Sequence, residues 1–427
     1  MKELFIGDLT KGKDSDAVEI LAWVFDFRDL KKNKFILLRD STGSIQGVIK
    51  KENLFEKFKE ISLESVVKVR GTLKKANVKS KLVSIKDKEI EIEDFEIINK
   101  AQTLPIPIKD EIETSLAKRL DYRYLDVRKP RIKAIFKIQS AIVNAFREFF
   151  LNKKFIEIQP PGIIATATEG GTELFPVQYF EKKAYLAQSP QLYKQLMAIS
   201  LEKVFCVMPV WRAEKHNTVR HLNESRQMDI EVAFTNDFDV MKLLEECCKY
   251  IVKKVKENCK EELAILDKKI EIPKAKYLSY KEAIELLNKE GIKIDYGEDL
   301  SNEAEKKLCN LFPNNIVFVH SWPLSLKPFY IMPKEKELSC GFDALYNGLE
   351  ISSGGQRVHL ADLLIERLKA NKLKAENFKF YVDAFRYGAP MHSGWSIGLE
   401  RFTMALLELS NIREACLFPR DRERLTP

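Results

Sequence analysis

Residues 398–427 read GLERFTMALLELSNIREACLFPRDRERLTP. The stretch starts with a Gly-Leu-Glu-Arg tetrapeptide ahead of an apolar pattern of helical period, which predicts a helix whose N-terminus favours anions. Far upstream, residues 212–214 (RAE) and 220–224 (RHLNE) form a second charged cluster. Neither cluster is a glycine-rich phosphate loop, so together they predict a nucleotide site built on arginines.

The composition of the 427-residue chain predicts a protein of two or three domains. It is 45% hydrophobic and 31% charged, and no apolar run approaches the ~20 residues of a membrane-spanning helix. The first residues, MKELFIGDLTKGKDSD, carry acids and no apolar signal region, so we expect a cytoplasmic protein. The seven cysteines include no CxxC pair, which predicts buried thiols. The net charge of +8 fits either a polyanionic partner or the lysine-rich surface of a heat-adapted protein.

Residues 17–98 predict a small β-barrel domain. Five segments rich in β-branched and aromatic residues are separated by turns, and one helix-like piece, 52–61, interrupts them. This pattern is typical of an OB-type barrel, with an SH3-like barrel as the alternative. We predict an OB-fold domain over 1–100 and a linker over 101–130. An α+β catalytic domain, built on an antiparallel sheet flanked by helices, is predicted over 131–427.

Two polar positions in the larger domain are candidate binding residues. Lys194 lies in QSPQLYKQ, where a proline opens a predicted helix, although many surface lysines have such a setting. Arg212 ends an apolar strand, and an arginine at the end of a buried strand needs a charged partner or ligand. For the segment that contains Arg212, an exposed hairpin with surface ion pairs is the alternative.

A strand with paired glycines, GLEISSGGQR at 348–357, offers candidate metal ligands. A carboxylate and a hydroxyl near phosphates are typical Mg²⁺ ligands, and glycines allow a ligand to approach closely. Strict alternation places Glu350 and Ser352 on one side and Ser353 on the other, unless the strand twists or bulges at Gly354-Gly355. An ordinary exposed strand and turn is the alternative.

Two residues of the barrel are candidates for nucleic-acid binding. Phe35 and Gln46 lie on neighbouring predicted strands, and an exposed aromatic on the face of an OB barrel stacks on a splayed base. A phenylalanine of the core is the alternative explanation.

Together these segments resemble the class II aminoacyl-tRNA synthetases, and within them the aspartyl-tRNA synthetases of the archaeal and eukaryotic type. Residues 132–161, 211–231 and 398–427 are similar to the family's motifs 1, 2 and 3. QSPQLYKQ is similar to the aspartyl version of its motif, and 232–347 is too short for the extra domain of the bacterial enzymes. The resemblance implies an ATP-dependent ligase, a homodimer, that joins L-aspartate to tRNA-Asp and uses Mg²⁺. Whether it also charges tRNA-Asn stays open.

The resemblance also implies roles for individual residues. Arg212 and Arg401 would be catalytic. The implied aspartate-binding residues are Glu169, Gln191, Lys194, Arg212, Asp229, Ser353 and Arg357. The implied ATP-binding residues are Arg212, Ala213, Glu214, Arg220, His221, Leu222, Glu350, Gly398, Leu399, Glu400 and Arg401. Glu350 and Ser353 would hold Mg²⁺, and the tRNA anticodon would contact Arg28, Phe35, Gln46 and Lys81.

Three residues depart from the family pattern: Ser225 replaces an aromatic that stacks on adenine, and Met391 and Ser393 replace a proline and a glycine beside His392. The last two changes predict a different floor of the amino-acid pocket. Two rival functions also stay open. An amide-forming enzyme derived from a synthetase is disfavoured because such relatives lack the barrel. An RNA-binding protein with an inactive site is disfavoured because the key arginines and Glu350 are intact.

Overall fold

The structure, a computed structural model, describes residues 4–80, 82–110, 112–166 and 173–427. The predicted site residues Lys81 and Glu169 lie outside these ranges. The chain divides into two compact units, Met1–Pro107 and Ile108–Pro427. Nowhere in the described ranges is there a helix with the length and apolar character needed to span a membrane.

The first unit is a closed barrel of five strands in the order β1-β2-β3-β5-β4. The strands are β1 (Ala17–Asp29), β2 (Lys34–Arg39), β3 (Ser44–Ile49), β4 (Val66–Lys75) and β5 (Lys88–Asn99). A short helix, α1 (Phe55–Lys59), separates β3 from β4. Along β1 the inward residues alternate with exposed ones, as the period of two requires. The OB-type prediction is confirmed.

The second unit is built on an eight-stranded sheet and a separate three-stranded sheet. The strands are β6 (Ile156–Glu157), β7 (Ile163–Ile164), β8 (Pro176–Tyr179), β9 (Lys182–Leu186), β10 (Lys203–Trp211), β11 (Glu224–Ala233), β12 (Lys274–Ser279), β13 (Asn315–His320), β14 (Gly341–Tyr346), β15 (Leu349–Gln356) and β16 (His392–Gly398). The large sheet has the order β12-β13-β14-β15-β16-β11-β10-β6. Its central pairs are antiparallel, as predicted, but both outermost pairs are parallel, so the sheet is mixed.

Eleven α-helices in the described ranges of the second unit flank these sheets. They are α2 (Leu116–Asp121), α3 (Arg123–Asp126), α4 (Pro130–Asn152), α5 (Gln191–Leu201), α6 (Asp237–Asn258), α7 (Lys260–Leu266), α8 (Tyr280–Lys289), α9 (Asn302–Leu311), α10 (Ala361–Ala370), α11 (Lys379–Arg386) and α12 (Leu399–Leu407). Short 3₁₀ helices occupy Ile6–Lys11, Glu52–Leu54, Leu324–Leu326, Glu335–Glu337, Ala375–Phe378 and Ile412–Ala415. The predicted boundaries at 100 and 130 stay a prediction.

The two faces of the large sheet differ in polarity. One face packs against α4, α6 and α12 in the main apolar core, where Phe146, Phe205 and Trp395 meet. Strand β11 shows how alternation divides the faces: Met228 and Ile230 enter this core. Asp229 and Glu231, which alternate with them along the strand, must therefore point to the opposite face.

Candidate active site

A cavity on the polar face of the sheet collects most of the predicted site residues. Its lining includes Gln191, Lys194, Arg212, Glu214, Arg220, His221, Leu222, Asp229, Glu350, Ser353, Arg357, Gly398, Glu400 and Arg401. These residues come from segments as far apart as 191 and 401, and the strands β11, β15 and β16 bring them together. Ala213 and Leu399 do not line the cavity, although each is next in sequence to a residue that does.

The deepest part of this cavity is an array of buried charges. Nζ of Lys194 donates to Oδ1 of Asp229 over 2.7 Å and to the carbonyl of Trp395 over 3.2 Å. Nε of Arg357 donates to Oε1 of Glu231 over 2.9 Å. A further contact of 3.6 Å joins Lys194 to Glu231, so the two pairs form one network. The exposed fraction of each of these side chains is 3% or less, which leaves little solvent to screen the charges.

This array bears on how the pocket would distinguish aspartate from asparagine. From the resemblance, an asparagine amide in this pocket would leave Lys194 buried and unpaired, and Asp229 would support either the lysine or the substrate ammonium. The structure provides Asp229 as a partner already. Discrimination between aspartate and asparagine therefore cannot rest on an unpaired lysine.

Glu231 was missed as a site residue. It follows Asp229 at the spacing of two that puts both on one face of β11, and an acid inside the apolar run MDIEVAF was the available signal. Gly394 stands opposite Glu231 in the register of β16. A Cβ at Gly394 would lie 2.2 Å from Oε2 of Glu231, so the position requires glycine. Burial opposes the charge of Arg357, but Glu231 outweighs it and raises the pKa of the guanidinium.

A neutral hydrogen-bond chain backs the charged array. The side-chain amide of Gln195 accepts from Gln191 and from the hydroxyl of Tyr381, each over 2.8 Å. The same amide donates to Nε2 of His392 over 2.9 Å, while Nδ1 of His392 donates to the carbonyl of Pro390. Burial lowers the pKa of His392, which agrees with this neutral tautomer. Gln191 is thus fixed at the cavity wall through one side-chain nitrogen.

The predicted metal ligands lie on one face because β15 bulges. Ser353 pairs with Asp343 and Glu350 pairs with Leu345, with a register shift between them. Since Asp343 and Leu345 are two residues apart on β14, Glu350 and Ser353 share the cavity face. The bulge therefore lies before Ser352 and not at the glycine pair that the sequence argument considered. Because of the bulge, Ser353, and not Ser352, lies on the same side of β15 as Glu350.

A second carboxylate borders the same face and was missed from the sequence. Oδ2 of Asp343 accepts from Nζ of Lys327 over 2.5 Å, and Lys327 lies over the ring of Trp322. Burial raises the pKa of Asp343 to about 6 against the opposing effect of Lys327. In the described part of the chain no three His, Cys, Asp or Glu side chains form a ready metal cluster. Any cation held here would thus use hydroxyl and substrate oxygens besides carboxylates.

The hairpin loop between β10 and β11 presents the predicted ATP residues. Its base is fixed by Asn223, which donates to the carbonyls of Arg212 and Glu214. Its tip is fixed by Arg413, which donates to the carbonyl of Thr218 over 3.0 Å. Burial and the nearby Arg401 lower the pKa of His221, whose Nδ1 lies 2.6 Å from the hydroxyl of Thr218.

The helix start at Gly398 differs in part from the sequence expectation. Glu400 is buried, and both its oxygens accept from the backbone N–H of Arg226. Burial raises the pKa of Glu400 to about 7. Arg401 reaches into the cavity, where its guanidinium lies 3.4 Å from Oε2 of Glu350. Arg401 and Glu400 thus have separate surroundings although they adjoin in sequence.

Three departures from the family pattern have different outcomes. Ser225 lines the cavity, so a small residue stands where relatives carry an aromatic. Ser393 is buried, and its hydroxyl donates to the carbonyl of Thr235 over 2.7 Å. The side chain of Met391 is 36% exposed. Neither Met391 nor Ser393 lines the cavity, and the predicted difference in the floor of the amino-acid pocket stays a prediction.

On the barrel, the three predicted anticodon residues that the structure describes share one face. Arg28 pairs with Phe35 across β1 and β2, and Leu37 pairs with Gln46 across β2 and β3. Because Phe35 and Leu37 are two residues apart, the alternation places Phe35 and Gln46 on the same side. Phe35 is half-buried, and Gln46 donates to Glu89 over 2.7 Å.

The family of the chain follows from comparison with known proteins. Residues 115–422 match the model of the class II tRNA synthetases (D, K and N), and residues 18–98 match that of the OB-fold nucleic acid binding domain. The chain therefore belongs to the class II tRNA synthetases.

Its relatives match over at least 93% of their length. The aspartate–tRNA(Asp/Asn) ligase of Methanopyrus kandleri is 44% identical over an alignment of 437 residues, gaps included, which covers 100% of both chains. The aspartate–tRNA(Asp) ligase of Pyrococcus furiosus is 44% identical over 99% of both. The asparaginyl-tRNA synthetase of Pyrococcus horikoshii, solved with asparaginyl-adenylate, is similar to this structure with a TM-score of 0.94, 33% identity and 100% coverage of both chains. The aspartyl-tRNA synthetase of Entamoeba histolytica has a TM-score of 0.89 and 32% identity, over 100% of this chain and 93% of that one.

Proposed function

We propose that this chain is an aspartate–tRNA ligase. The observation that carries the proposal is the buried array in which Lys194 and Arg357 line the same cavity as Arg212 and Arg401. Lysine and arginine donate hydrogen bonds and accept none. The β-carboxylate of aspartate accepts on both oxygens, whereas the amide of asparagine would turn an NH₂ group toward donors.

In the first step, the α-carboxylate of aspartate attacks the α-phosphorus of ATP. A new carboxyl–phosphorus bond forms, the bond to the bridging oxygen breaks, and its electron pair leaves with pyrophosphate. The protein supplies no nucleophile, so its residues work by positioning and by neutralising charge. Arg212 would bridge the α-phosphate and the attacking carboxylate, and Arg401 would contact the adenine and the γ-phosphate. Asp229 and Glu231 would keep the two aspartate-binding cations in place.

The residues near the outer phosphates fit a magnesium ion. Glu350 and Ser353 share the cavity face because of the bulge in β15, and carboxylate and hydroxyl oxygens are the donors that Mg²⁺ prefers. When bound, Mg²⁺ would neutralise phosphate charge as pyrophosphate leaves. Arg220 and His221 would contact the same phosphates from the hairpin loop.

In the second step, a terminal ribose hydroxyl of tRNA attacks the carbonyl carbon of the adenylate and forms an ester. The bond from that carbon to the phosphate oxygen breaks, and AMP leaves with the electron pair and takes up the hydroxyl proton. Anticodon contacts on the barrel would select the tRNA. Phe35 offers a half-buried ring for a base, and Arg28 lies beside it in the register. A homodimer with a cytoplasmic location stays a prediction.

The test of this function is a pair of assays on the purified protein. We expect exchange of labelled pyrophosphate into ATP to require aspartate, with asparagine far less effective. Charging of tRNA-Asp and tRNA-Asn transcripts with aspartate, side by side, then decides the tRNA specificity. Exchange that responds to asparagine and not to aspartate would overturn the amino-acid assignment.

A further inference from the structure

Helix α9, which lies outside the three motif segments, contacts Arg220, one of the proposed phosphate-binding residues. One terminal nitrogen of Arg220, NH1, donates to Oδ1 of Asn302 over 2.7 Å and to Oε2 of Glu305 over 2.9 Å. The other, NH2, donates to the carbonyl of Gly348 over 2.9 Å. A guanidinium held from both terminal nitrogens has one orientation, because its donors form a rigid fork.

Helix α9 is itself fixed where it makes these contacts. The hydroxyl of Ser301 caps it by accepting from the N–H of Ala304, and Ala304 and Leu308 are buried. Gly348, at φ +80°, turns the chain between β14 and β15 toward Lys306 on the same helix. The turn and the helix therefore present their acceptors to Arg220 as one rigid wall.

We propose that Glu305, together with Asn302, positions Arg220 to bind the outer phosphates of ATP. This inference rests on the proposed function, in which Arg220 contacts ATP. The Arg220–Glu305 pair is mostly buried, with 17% and 14% of the side chains exposed, and Arg220 lines the cavity. Glu305 is a positioning residue, since its carboxylate acts on ATP through the arginine.

The wall formed by α9 and the turn at Gly348 limits the movement of the Arg220 side chain. Asn302, Glu305 and the carbonyl of Gly348 accept hydrogen bonds from both terminal nitrogens of Arg220. Leaving this wall would break these bonds and leave a mostly buried carboxylate without its cation, so the arginine keeps one rotamer. Because the pair orders the side chain of Arg220 before ATP arrives, less conformational entropy is lost when ATP binds.

The experiment is a double-mutant cycle on Glu305 and Arg220, with ATP affinity measured by calorimetry and the KM for ATP by pyrophosphate exchange. We expect Glu305→Ala to weaken ATP binding roughly tenfold, because a hydrogen bond to a charged group is lost. Glu305→Gln keeps one acceptor oxygen and should lose about threefold or less. The KM for aspartate and kcat should change less than about twofold in both variants.

The cycle separates this role from a structural one. In the Arg220→Ala background, Glu305→Ala should change ATP affinity less than about twofold, since its route of action is gone. Glu303→Ala, on the exposed side of the same helix turn, is the matched control and should resemble the wild type. Unchanged or tighter ATP binding in Glu305→Ala, or an equal loss in both backgrounds, would overturn the proposal. Because calorimetry needs no turnover, a failure of aspartate-dependent exchange in the wild type would count against the proposed function alone.

Discussion

Nε of Arg357 lies 2.9 Å from Oε1 of Glu231, and the exposed fractions of the two side chains are 3% and 0%. Desolvating two such charges costs about as much as their attraction returns, so the pair is a poor source of stability. Its consequence is placement: the guanidinium has a fixed direction at the wall of the cavity before any substrate arrives.

Replacing Glu231 should separate the loss of the pair from the loss of the arginine. Glu231→Gln keeps the volume and one acceptor but leaves Arg357 buried beside a neutral group. We expect the free energy of unfolding to fall by roughly 3 kcal/mol. The KM for aspartate should rise at least about tenfold while ATP binding persists, because the aspartate-binding cation is displaced. Chemical denaturation and pyrophosphate exchange measure the two effects.

A surface pair gives the control for this substitution. Glu257 lies 4.0 Å from Lys253 on α6, with about half of each side chain exposed. Glu257→Gln should change the free energy of unfolding by less than about 0.5 kcal/mol. A Glu231→Gln protein with normal stability and a normal KM for aspartate would show that the buried pair does not place Arg357.

Lys194 should be indispensable for aspartate and dispensable for ATP. Lys194→Met removes the cation that bonds Asp229 and should abolish aspartate-dependent exchange, while ATP binding stays measurable by calorimetry. Lys203→Met, at the exposed start of β10, is the control and should exchange normally. Normal exchange in Lys194→Met would contradict the pocket assignment.

Much of the fold was predictable because local patterns and global architecture agree. Five alternating segments with an interrupting helix predicted the barrel, and Asp229, inside the apolar run of β11, was predicted as a site residue. The three motif segments then predicted which distant residues meet. The site residues assigned within 212–231 and 398–401 line one cavity, except Ala213 and Leu399, whereas 132–161 contributes none to it; the roles of these residues stay proposals.

What could not be predicted depends on contacts between segments with no shared pattern. The bulge in β15 decides whether Ser352 or Ser353 accompanies Glu350, and it arises in pairing with β14. The partners of Arg220 come from a helix about eighty residues away, in a segment with ordinary surface composition. Glu231 was different, because a buried acid at a spacing of two from Asp229 was visible in the sequence and was overlooked.

The barrel should affect tRNA charging and leave adenylate formation alone. Phe35→Ala removes a half-buried ring from the face it shares with Gln46, and base stacking on such a ring is worth roughly 1–3 kcal/mol. We expect a KM for tRNA at least about fivefold higher, with unchanged pyrophosphate exchange. Thr72→Ala, at an exposed hydrogen bond on β4, is the control. Charging kinetics of Phe35→Ala equal to those of the wild type would remove the barrel face from the tRNA site.

Glu400 should make stability depend on pH. Burial raises its pKa to about 7 from an ordinary 4.5, so between these values the folded protein binds more protons at this site than the unfolded chain. Stability contributed by this group is therefore fully present at low pH and is lost as the pH rises through this window. Above pH 7 the cost is on the order of 3 kcal/mol, which is the shift converted at about 1.4 kcal/mol per unit.

Glu400→Gln should abolish that loss while keeping an acceptor for the N–H of Arg226. Relative to the wild type, the variant should gain stability steadily from about pH 4.5 to pH 7 and show a constant advantage above pH 7. Urea denaturation at half-unit steps of pH measures this difference, with the exposed Glu303→Gln as the control. A difference between the variant and the wild type that stays flat across this window would show that the Glu400 carboxyl does not titrate in the folded protein as burial requires.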